Sequence, residues 1–169
     1  MNTRHAIAST VIGDLTLVAH HDTLIGVYFP QHWTKPAPDT FGAGVDLRAD
    51  AVLELAGTQL GEYLSGQRTS FELPTAAIGD AFERRVWAML AEIPFGKTTT
   101  YGELADELGD RALAQTVGQA VWRNPLSIIV PCHRVVGKGG KLTGYAGGLT
   151  RKQFLLDLEA PELAAARLF

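Results

Sequence analysis

The first third of the chain alternates short apolar, β-branched runs with polar turn residues. Three such runs, over 6–10, 15–20 and 23–29, are separated by Gly13-Asp14 and by His21-Asp22. Runs of this length joined by two-residue turns are typical of antiparallel hairpins. The pattern predicts a small antiparallel β-sheet.

A helix is predicted to follow the sheet. The stretch 30–44 is rich in Pro, Gly and polar residues and predicts a loop, whereas the apolar positions after Asp50 recur at helical spacing. Asp50 is the expected N-cap of that helix. A short strand over 70–73 would complete a first domain, 1–74, with a linker over 74–79.

Helical spacing dominates the second half. Asp80 and Glu83 form a capping box that begins a helix running to Ala91, and Thr100 and Glu103 form a second one. Gly109 has the position of a glycine that ends the second helix.

A third helix is predicted over 112–122, closed by Asn124-Pro125. Two short helices joined by a tight turn form a helix-turn-helix, whose second helix normally lies in a groove of DNA. A last helix is predicted from Thr150, with Phe154, Leu155 and Leu158 facing inward and Glu159 at its end.

These elements predict an α/β (α+β) fold in two domains. A small N-terminal antiparallel β-sheet with one helix, 1–74, is followed by a mainly helical C-terminal domain, 80–169, that contains the helix-turn-helix. With 169 residues and 46% hydrophobic content, the chain is long and apolar enough for a real core.

The charge is unevenly distributed. The net charge is −3, yet residues 1–79 hold four basic and eight acidic side chains, and 111–152 holds no acid at all. Such a stretch favours a polyanionic partner, although it also suits a solvated face paired with acids of the first half. The basic residues of this stretch are Arg111, Arg123, Arg134, Lys138, Lys141, Arg151 and Lys152.

The chain has features of a cytoplasmic protein. No stretch approaches the ~20 apolar residues of a membrane span, and the first residues lack the apolar core of a signal peptide. The single cysteine cannot form an internal disulfide, so we expect a reducing compartment and no membrane contact.

That cysteine, Cys132, is the candidate reactive group. It follows an apolar run over 127–130, predicted to be a buried strand, and Pro131, and it directly precedes His133. One interpretation is a small buried hydrophobe. The other is a nucleophile whose thiolate is favoured by His133, with the distant Glu159 as one option for orienting the imidazole.

The residues around Cys132 resemble those of the O6-alkylguanine-DNA alkyltransferases, the methylated-DNA–protein-cysteine methyltransferases. The similarity runs from 82 to 159, and the first domain matches only in its arrangement. The motifs that resemble the family are Pro131-Cys132-His133-Arg134-Val135, Asn124-Pro125, Ile93-Pro94-Phe95-Gly96, Tyr101-Gly102 and Gly144-Tyr145-Ala146-Gly147-Gly148.

The resemblance implies a catalytic set and a single-use reaction without a cofactor. Cys132 would take the alkyl group from O6 of guanine, His133 would accept the thiol proton through a water, and Glu159 would orient His133. Asn124 would brace the turn, and Tyr101 would give a proton to the leaving guanine. A thioether has no good leaving group, so each molecule would react once.

The resemblance also implies a DNA interface and a base pocket. The helix-turn-helix of a free monomer would enter the minor groove of duplex DNA and rotate the alkylated base out of the stack. The DNA-binding residues would be Gln115, Thr116, Gly118, Gln119, Trp122, Arg123, Arg134 and Lys138. The pocket would be formed by Tyr101, Val130, Tyr145, Ala146 and Gly147.

The chain departs from the family in four places. Gln115 stands where the family has an arginine that fills the space of the rotated base, and Trp122 is either an alternative wedge or a residue packed under the Asn124 turn. Ala146 replaces a hydroxyl residue of some relatives. The first domain has no cysteine, and His20 and His21 point to opposite faces of one strand, so we expect no metal.

Two other functions compete with alkyl transfer. A recognition protein that binds the lesion without reacting would lack the cysteine, yet the altered helix keeps this alternative open. A Cys-His hydrolase of small esters or amides would need an oxyanion site, and no motif in the sequence indicates one.

Overall fold

The computed structural model describes residues 2–32 and 35–167. Their contacts divide the chain into two compact units. The first runs to Ile78 and also contains Pro125–Ile129, and the second contains Gly79–Asn124 and continues from Val130. The fold class is α+β, as predicted.

The first unit is built on a four-stranded sheet in the order β3-β2-β1-β4. Strands β1 (Thr3–Thr10), β2 (Gly13–His20) and β3 (Thr23–Tyr28) form an antiparallel meander, which confirms the predicted hairpins. Strand β4 (Ala43–Gly44) pairs parallel with β1.

Helix α1 (Ala51–Leu64) packs on this sheet and forms the core of the unit with it. The side chain of Asp50 accepts hydrogen bonds from the backbone N–H groups of Val52 and Leu53, both at 3.1 Å, so the predicted N-cap is confirmed. Leu53 and Leu60 on the inner face are fully buried.

Two predictions for the first unit were wrong. The stretch 30–44 is not only a loop, because it contains a 3₁₀ turn at Pro38–Phe41 and strand β4. Residues 70–73 form no strand, since the Gln59 side chain occupies the backbone groups that a ladder would use. Gln59 Nε2 donates to the Glu72 carbonyl at 2.9 Å, and Gln59 Oε1 accepts from the Glu72 N–H at 2.8 Å.

The second unit is mainly helical. Helix α2 (Ala81–Ala91) and helix α3 (Tyr101–Glu107) each begin with the predicted capping box. A turn at Gly109, with φ of 100°, and a 3₁₀ turn at Arg111–Leu113 lead to helix α4 (Ala114–Trp122). Helix α4 packs on both α2 and α3.

The segment before the cysteine is not the strand that the sequence predicts. Leu126, Ser127 and Val130 form only isolated bridges, that of Leu126 to Val27 of β3, and Ile128 has a φ of +75°, which an extended strand does not allow. The apolar character of 127–130 reflects burial instead of strand geometry, because Ser127 and Ile128 are both almost fully buried.

The chain then passes through a 3₁₀ turn at Cys132–Arg134 into β6 (Val135–Val136), which pairs parallel with β5 (Thr99–Thr100). A further 3₁₀ turn spans Lys138–Gly140. Helix α5 (Leu149–Glu159) follows.

Helix α5 differs in detail from the prediction. It is capped by Gly148 instead of Thr150, and Phe154 is 39% exposed, whereas Leu155 is buried as expected. A short helix α6 (Pro161–Ala166), which the sequence analysis did not predict, follows it. Among the helices described, none has the length and apolar character that a membrane crossing requires.

Candidate active site and nucleic-acid interface

Cys132 is held in a rigid, buried turn. It is the first residue of the 3₁₀ turn that Pro131 introduces, and only 5% of its surface is exposed. Its N–H donates to the Val130 carbonyl at 2.8 Å. Its carbonyl accepts from the Val135 N–H, so the backbone is hydrogen-bonded on both sides of Cys132.

His133 and Glu159 meet across the second unit, although 25 residues separate them in the chain. The imidazole Nε2 lies 2.8 Å from Glu159 Oε2, and both side chains are buried. Glu159 reaches this position because it is the last residue of α5, and α5 packs against the turn. The structure therefore brings His133 and Glu159 together, and the full Cys-His-Glu set stays a prediction.

Arg134 lies inside the unit instead of on a DNA-facing surface. It is 8% exposed, and its guanidinium donates to both carboxylate oxygens of Glu159, at 2.7 and 2.8 Å, and to the Ile93 carbonyl at 2.7 Å. Its donors are thus taken up within the protein, and the DNA contact expected of Arg134 stays a prediction.

Asn124 connects the end of α4 to the active-site turn. Its Nδ2 donates to the Val130 carbonyl at 2.8 Å, and its side chain also hydrogen-bonds the Cys132 thiol. The residue is almost fully buried. This geometry suits the bracing role that the resemblance implies.

Burial dominates the protonation of the thiol and the imidazole. Desolvation raises the pKa of Cys132, while the hydrogen bond from Asn124 and the positive charge of Lys152 act in the opposite direction. Desolvation also lowers the pKa of His133, against the raising effect of Glu159. His133 is accordingly favoured in the neutral form, which can accept a proton.

Lys152 is a residue of the site that the sequence analysis missed. It is fully buried, and its Nζ donates to the carbonyls of Val135 at 2.6 Å and Thr143 at 3.3 Å. Burial lowers its pKa to about 8. The available signal was its spacing, because Lys152, Leu155 and Glu159 share the buried face of α5.

Tyr101 begins α3 and is half-buried. Its hydroxyl lies 2.9 Å from the Thr143 hydroxyl. Together with Arg111 and Lys138 it lines a cavity of about 360 Å³. Of the other expected pocket residues, Tyr145, Ala146 and Gly147 are buried in the loop before α5, and Val130 is half-buried.

Helix α4 presents one polar face to the outside. Gln115, Thr116, Gln119 and Arg123 are exposed, and Trp122 is 36% exposed. Gly118 is buried instead, and a Cβ atom there would lie 3.6 Å from the Tyr101 ring. Gly118 therefore faces α3, and the DNA contact expected of it stays a prediction.

The basic stretch offers fewer accessible charges than its composition indicates. Arg111 pairs with Asp106, Arg134 with Glu159, and Lys152 is buried. Arg151 is half-buried and donates to the Gly147 carbonyl at 3.0 Å. The exposed cations are Arg111, which is paired with Asp106, and Arg123, Lys138 and Lys141. The pairing acids lie in the second half of the chain, not in the first as the alternative interpretation expected.

Family models match both halves of the chain. Residues 81–161 match the 6-O-methylguanine DNA methyltransferase, DNA binding domain, and residues 3–77 match the ribonuclease-like domain of the same family. The chain belongs to the 6-O-methylguanine DNA methyltransferase family.

Relatives within this family cover nearly the whole chain. The methylated-DNA–protein-cysteine methyltransferase of Mycobacterium tuberculosis is 44% identical over 156 residues, covering 88% of this chain and 87% of the relative. That of Methanosarcina acetivorans is 42% identical, covering 92% and 97%.

A solved structure of the family has the same fold. The M. tuberculosis OGT in complex with DNA is 39% identical, covers 94% of this chain and 93% of its own, and superposes with a TM-score of 0.80. Residues 2–32 and 35–167 of this chain contain no group of three His, Cys, Asp or Glu side chains placed to hold a metal ion.

Proposed function

We propose that the protein repairs alkylated DNA by transferring an alkyl group, typically methyl, from O6 of guanine to Cys132, once per molecule. The observation that supports this most directly is the buried turn in which Cys132 directly precedes a His133–Glu159 pair at 2.8 Å. The curated relatives of the chain bear the name of this activity.

The reaction is a displacement at the alkyl carbon. The Cys132 thiol loses its proton to the neutral imidazole of His133 through a water, and Glu159 stabilises the resulting imidazolium. The thiolate then forms the S–C bond while the O6–C bond breaks, with its electron pair remaining on guanine. Tyr101 gives a proton to the departing base, and no co-reactant is required.

The surroundings of the thiol support this chemistry. Burial disfavours the free thiolate, so the thiol keeps its proton until a proton acceptor is in place. Asn124 and Lys152 stabilise the thiolate when it forms. The glycines around Tyr145 and Ala146 let the backbone approach a bound base closely.

Helices α3 and α4 are the proposed helix-turn-helix. The exposed face of Gln115, Thr116, Gln119 and Arg123 would lie in the minor groove of duplex DNA, with the target guanine rotated out of the stack. Lys138 would contact the phosphate backbone. The protein would act as a monomer in the cytoplasm.

The test is the intact mass of the protein after incubation with a duplex containing O6-methylguanine, followed by peptide mapping. We expect a gain of one methylene on Cys132, complete at one equivalent of DNA and absent in Cys132→Ala. Repeated turnover would instead indicate the hydrolase alternative.

Substrates that need no base rotation from a duplex separate the transfer reaction from DNA recognition. A gain with single strands or free O6-benzylguanine but not with duplex would locate the defect in base rotation and point to Gln115. Tight binding to the lesion without a mass gain on any substrate would contradict the proposal and favour the non-reacting recognition protein.

A further inference from the structure

Arg134 and His133 both bind the Glu159 carboxylate, at similar distances. Its Nε donates to Oε1 at 2.7 Å and its second terminal nitrogen to Oε2 at 2.8 Å, which is the bidentate geometry of a strong guanidinium–carboxylate pair. A third bond, to the Ile93 carbonyl at 2.7 Å, and the Phe95 ring at 5.7 Å fix the guanidinium. The arginine therefore has one position.

One oxygen of Glu159 is shared. Oε2 accepts from Arg134 and also lies 2.8 Å from His133 Nε2. The carboxylate next to the imidazole is therefore already paired with a guanidinium. A buried carboxylate without another partner would attract a proton onto the imidazole and raise its pKa. A guanidinium that cannot lose its proton neutralises most of that attraction.

We propose that Arg134 is a positioning residue of the relay, which keeps His133 neutral and ready to accept the thiol proton by holding both oxygens of Glu159. This inference rests on the proton-accepting role of His133 in the proposed function. Arg134 acts through Glu159 and touches neither the thiol nor the substrate in this proposal.

The charges around His133 are consistent with this role. Glu159 and Lys152 face it from α5, and Cys132 and Arg134 belong to its own turn. Helix α2, which also packs on the turn, buries only the apolar residues Val86, Trp87 and Leu90. Glu159 raises the pKa of His133, whereas Arg134 and Lys152 lower it.

The experiment compares Arg134→Met with Arg134→Lys in two measurements. The first is the NMR titration of the His133 ring in a Cys132→Ala background. The second is the single-turnover methylation rate from pH 5.5 to 9.5. Arg167→Met, which removes a guanidinium from Asp157 on the surface of the same unit, is the matched control.

We expect the His133 pKa to rise in Arg134→Met, so that the acid limb of the rate profile moves to higher pH. At pH values below the displaced pKa the rate should fall on the order of tenfold per pH unit, and it should recover at high pH. Arg134→Lys keeps the charge but loses the bidentate hydrogen bonds to Glu159, so it should displace the His133 pKa less. Arg167→Met should not displace it.

A rate loss that is equal at every pH, or a His133 titration that does not move, would overturn the proposal and leave Arg134 a purely structural residue. If Arg134→Met does not fold, Arg134→Lys alone decides by the same two readouts. Adding Glu159→Gln should abolish the effect of the arginine, because the two act through one carboxylate.

Failure of the proposed function would look different. If His133→Gln kept the wild-type rate profile, His133 would not be the base, whereas the NMR titration would still test whether Arg134 sets its protonation.

Discussion

At the scale of single residues, neighbours decide the chemistry of Cys132. A thiol buried to this degree is disfavoured as an anion, and the groups that oppose this effect are Asn124 and Lys152. Both are buried polar side chains whose hydrogen bonds lie within the second unit. Removing either should therefore change reactivity and stability together.

Asn124→Ala tests this coupling. The variant loses a hydrogen bond that lowers the pKa of Cys132, so the thiolate fraction at neutral pH should fall and alkylation by iodoacetamide should slow, recovering at high pH. The Val130 carbonyl loses one of its two hydrogen bonds and keeps the one from the Cys132 N–H, so the loss in the free energy of unfolding should be about 1 kcal/mol. Alkylation rates against pH and urea titrations measure the two effects.

Ser127→Ala is the control for that variant. Ser127 Oγ is buried and has no hydrogen-bond partner among the described residues, so its removal should leave both quantities near wild type. An Asn124→Ala protein with an unchanged alkylation profile would contradict the role assigned to the amide.

At the scale of elements, α4 has two faces with different tasks. Its inner face, with Val117, Gly118 and Val121, packs within the second unit, and Gly118 lies next to the Tyr101 ring. Its outer face presents Gln115 in the first turn and Trp122 in the last. Substitutions on the outer face should alter DNA binding and base rotation without disturbing the active-site turn.

Gln115→Arg should increase the rate of methyl transfer from duplex DNA. An arginine adds attraction to phosphates and a longer group to fill the space of the rotated base. The rate with free O6-benzylguanine should stay unchanged, because that substrate needs no rotation. Rapid-quench rates on both substrates make the comparison, and an unchanged duplex rate would show that position 115 does not limit repair.

At the scale of the whole molecule, His32 in the first unit makes the stability of the fold depend on pH. His32 is buried, its ring stacks on Phe29 with centroids 6.0 Å apart, and its Nδ1 accepts from the Phe29 N–H at 3.3 Å. Burial, with a smaller effect of the Lys35 charge, lowers the pKa of His32 to about 4. Protonation would place a charge in an aromatic environment.

The fold should therefore lose stability as the pH falls. The unfolded chain binds this proton near pH 6.5 and the folded chain only near 4, so the contribution of His32 is complete above 6.5 and declines below it. Between pH 7.5 and 5.0 the loss should be about 2 kcal/mol.

Urea unfolding at pH 7.5 and 5.0 measures that loss. His32→Gln should reduce it, with the remaining acid dependence including that of His133, whose pKa is also lowered by burial. His21→Gln, at an exposed turn position, should keep the full loss. Equal pH dependence in wild type and His32→Gln would contradict the assignment.

The sequence by itself determined the features that depend on neighbours in the chain. The hairpins, the N-cap at Asp50 and both capping boxes are local, because turn residues and caps act within four positions. The Cys132 motif also indicated the family, since its residues are contiguous.

Only the tertiary structure decided which polar groups of the motif face inward. Arg134 and Lys152 look like surface cations in the sequence, yet α5 brings Glu159 to Arg134, and Lys152 donates to the carbonyls of Val135 and Thr143. The apolar run 127–130 likewise is buried without being a strand, as Ile128 shows. Hydrophobic pattern reports burial, but it does not report which distant partner satisfies a buried charge or which backbone geometry a buried segment adopts.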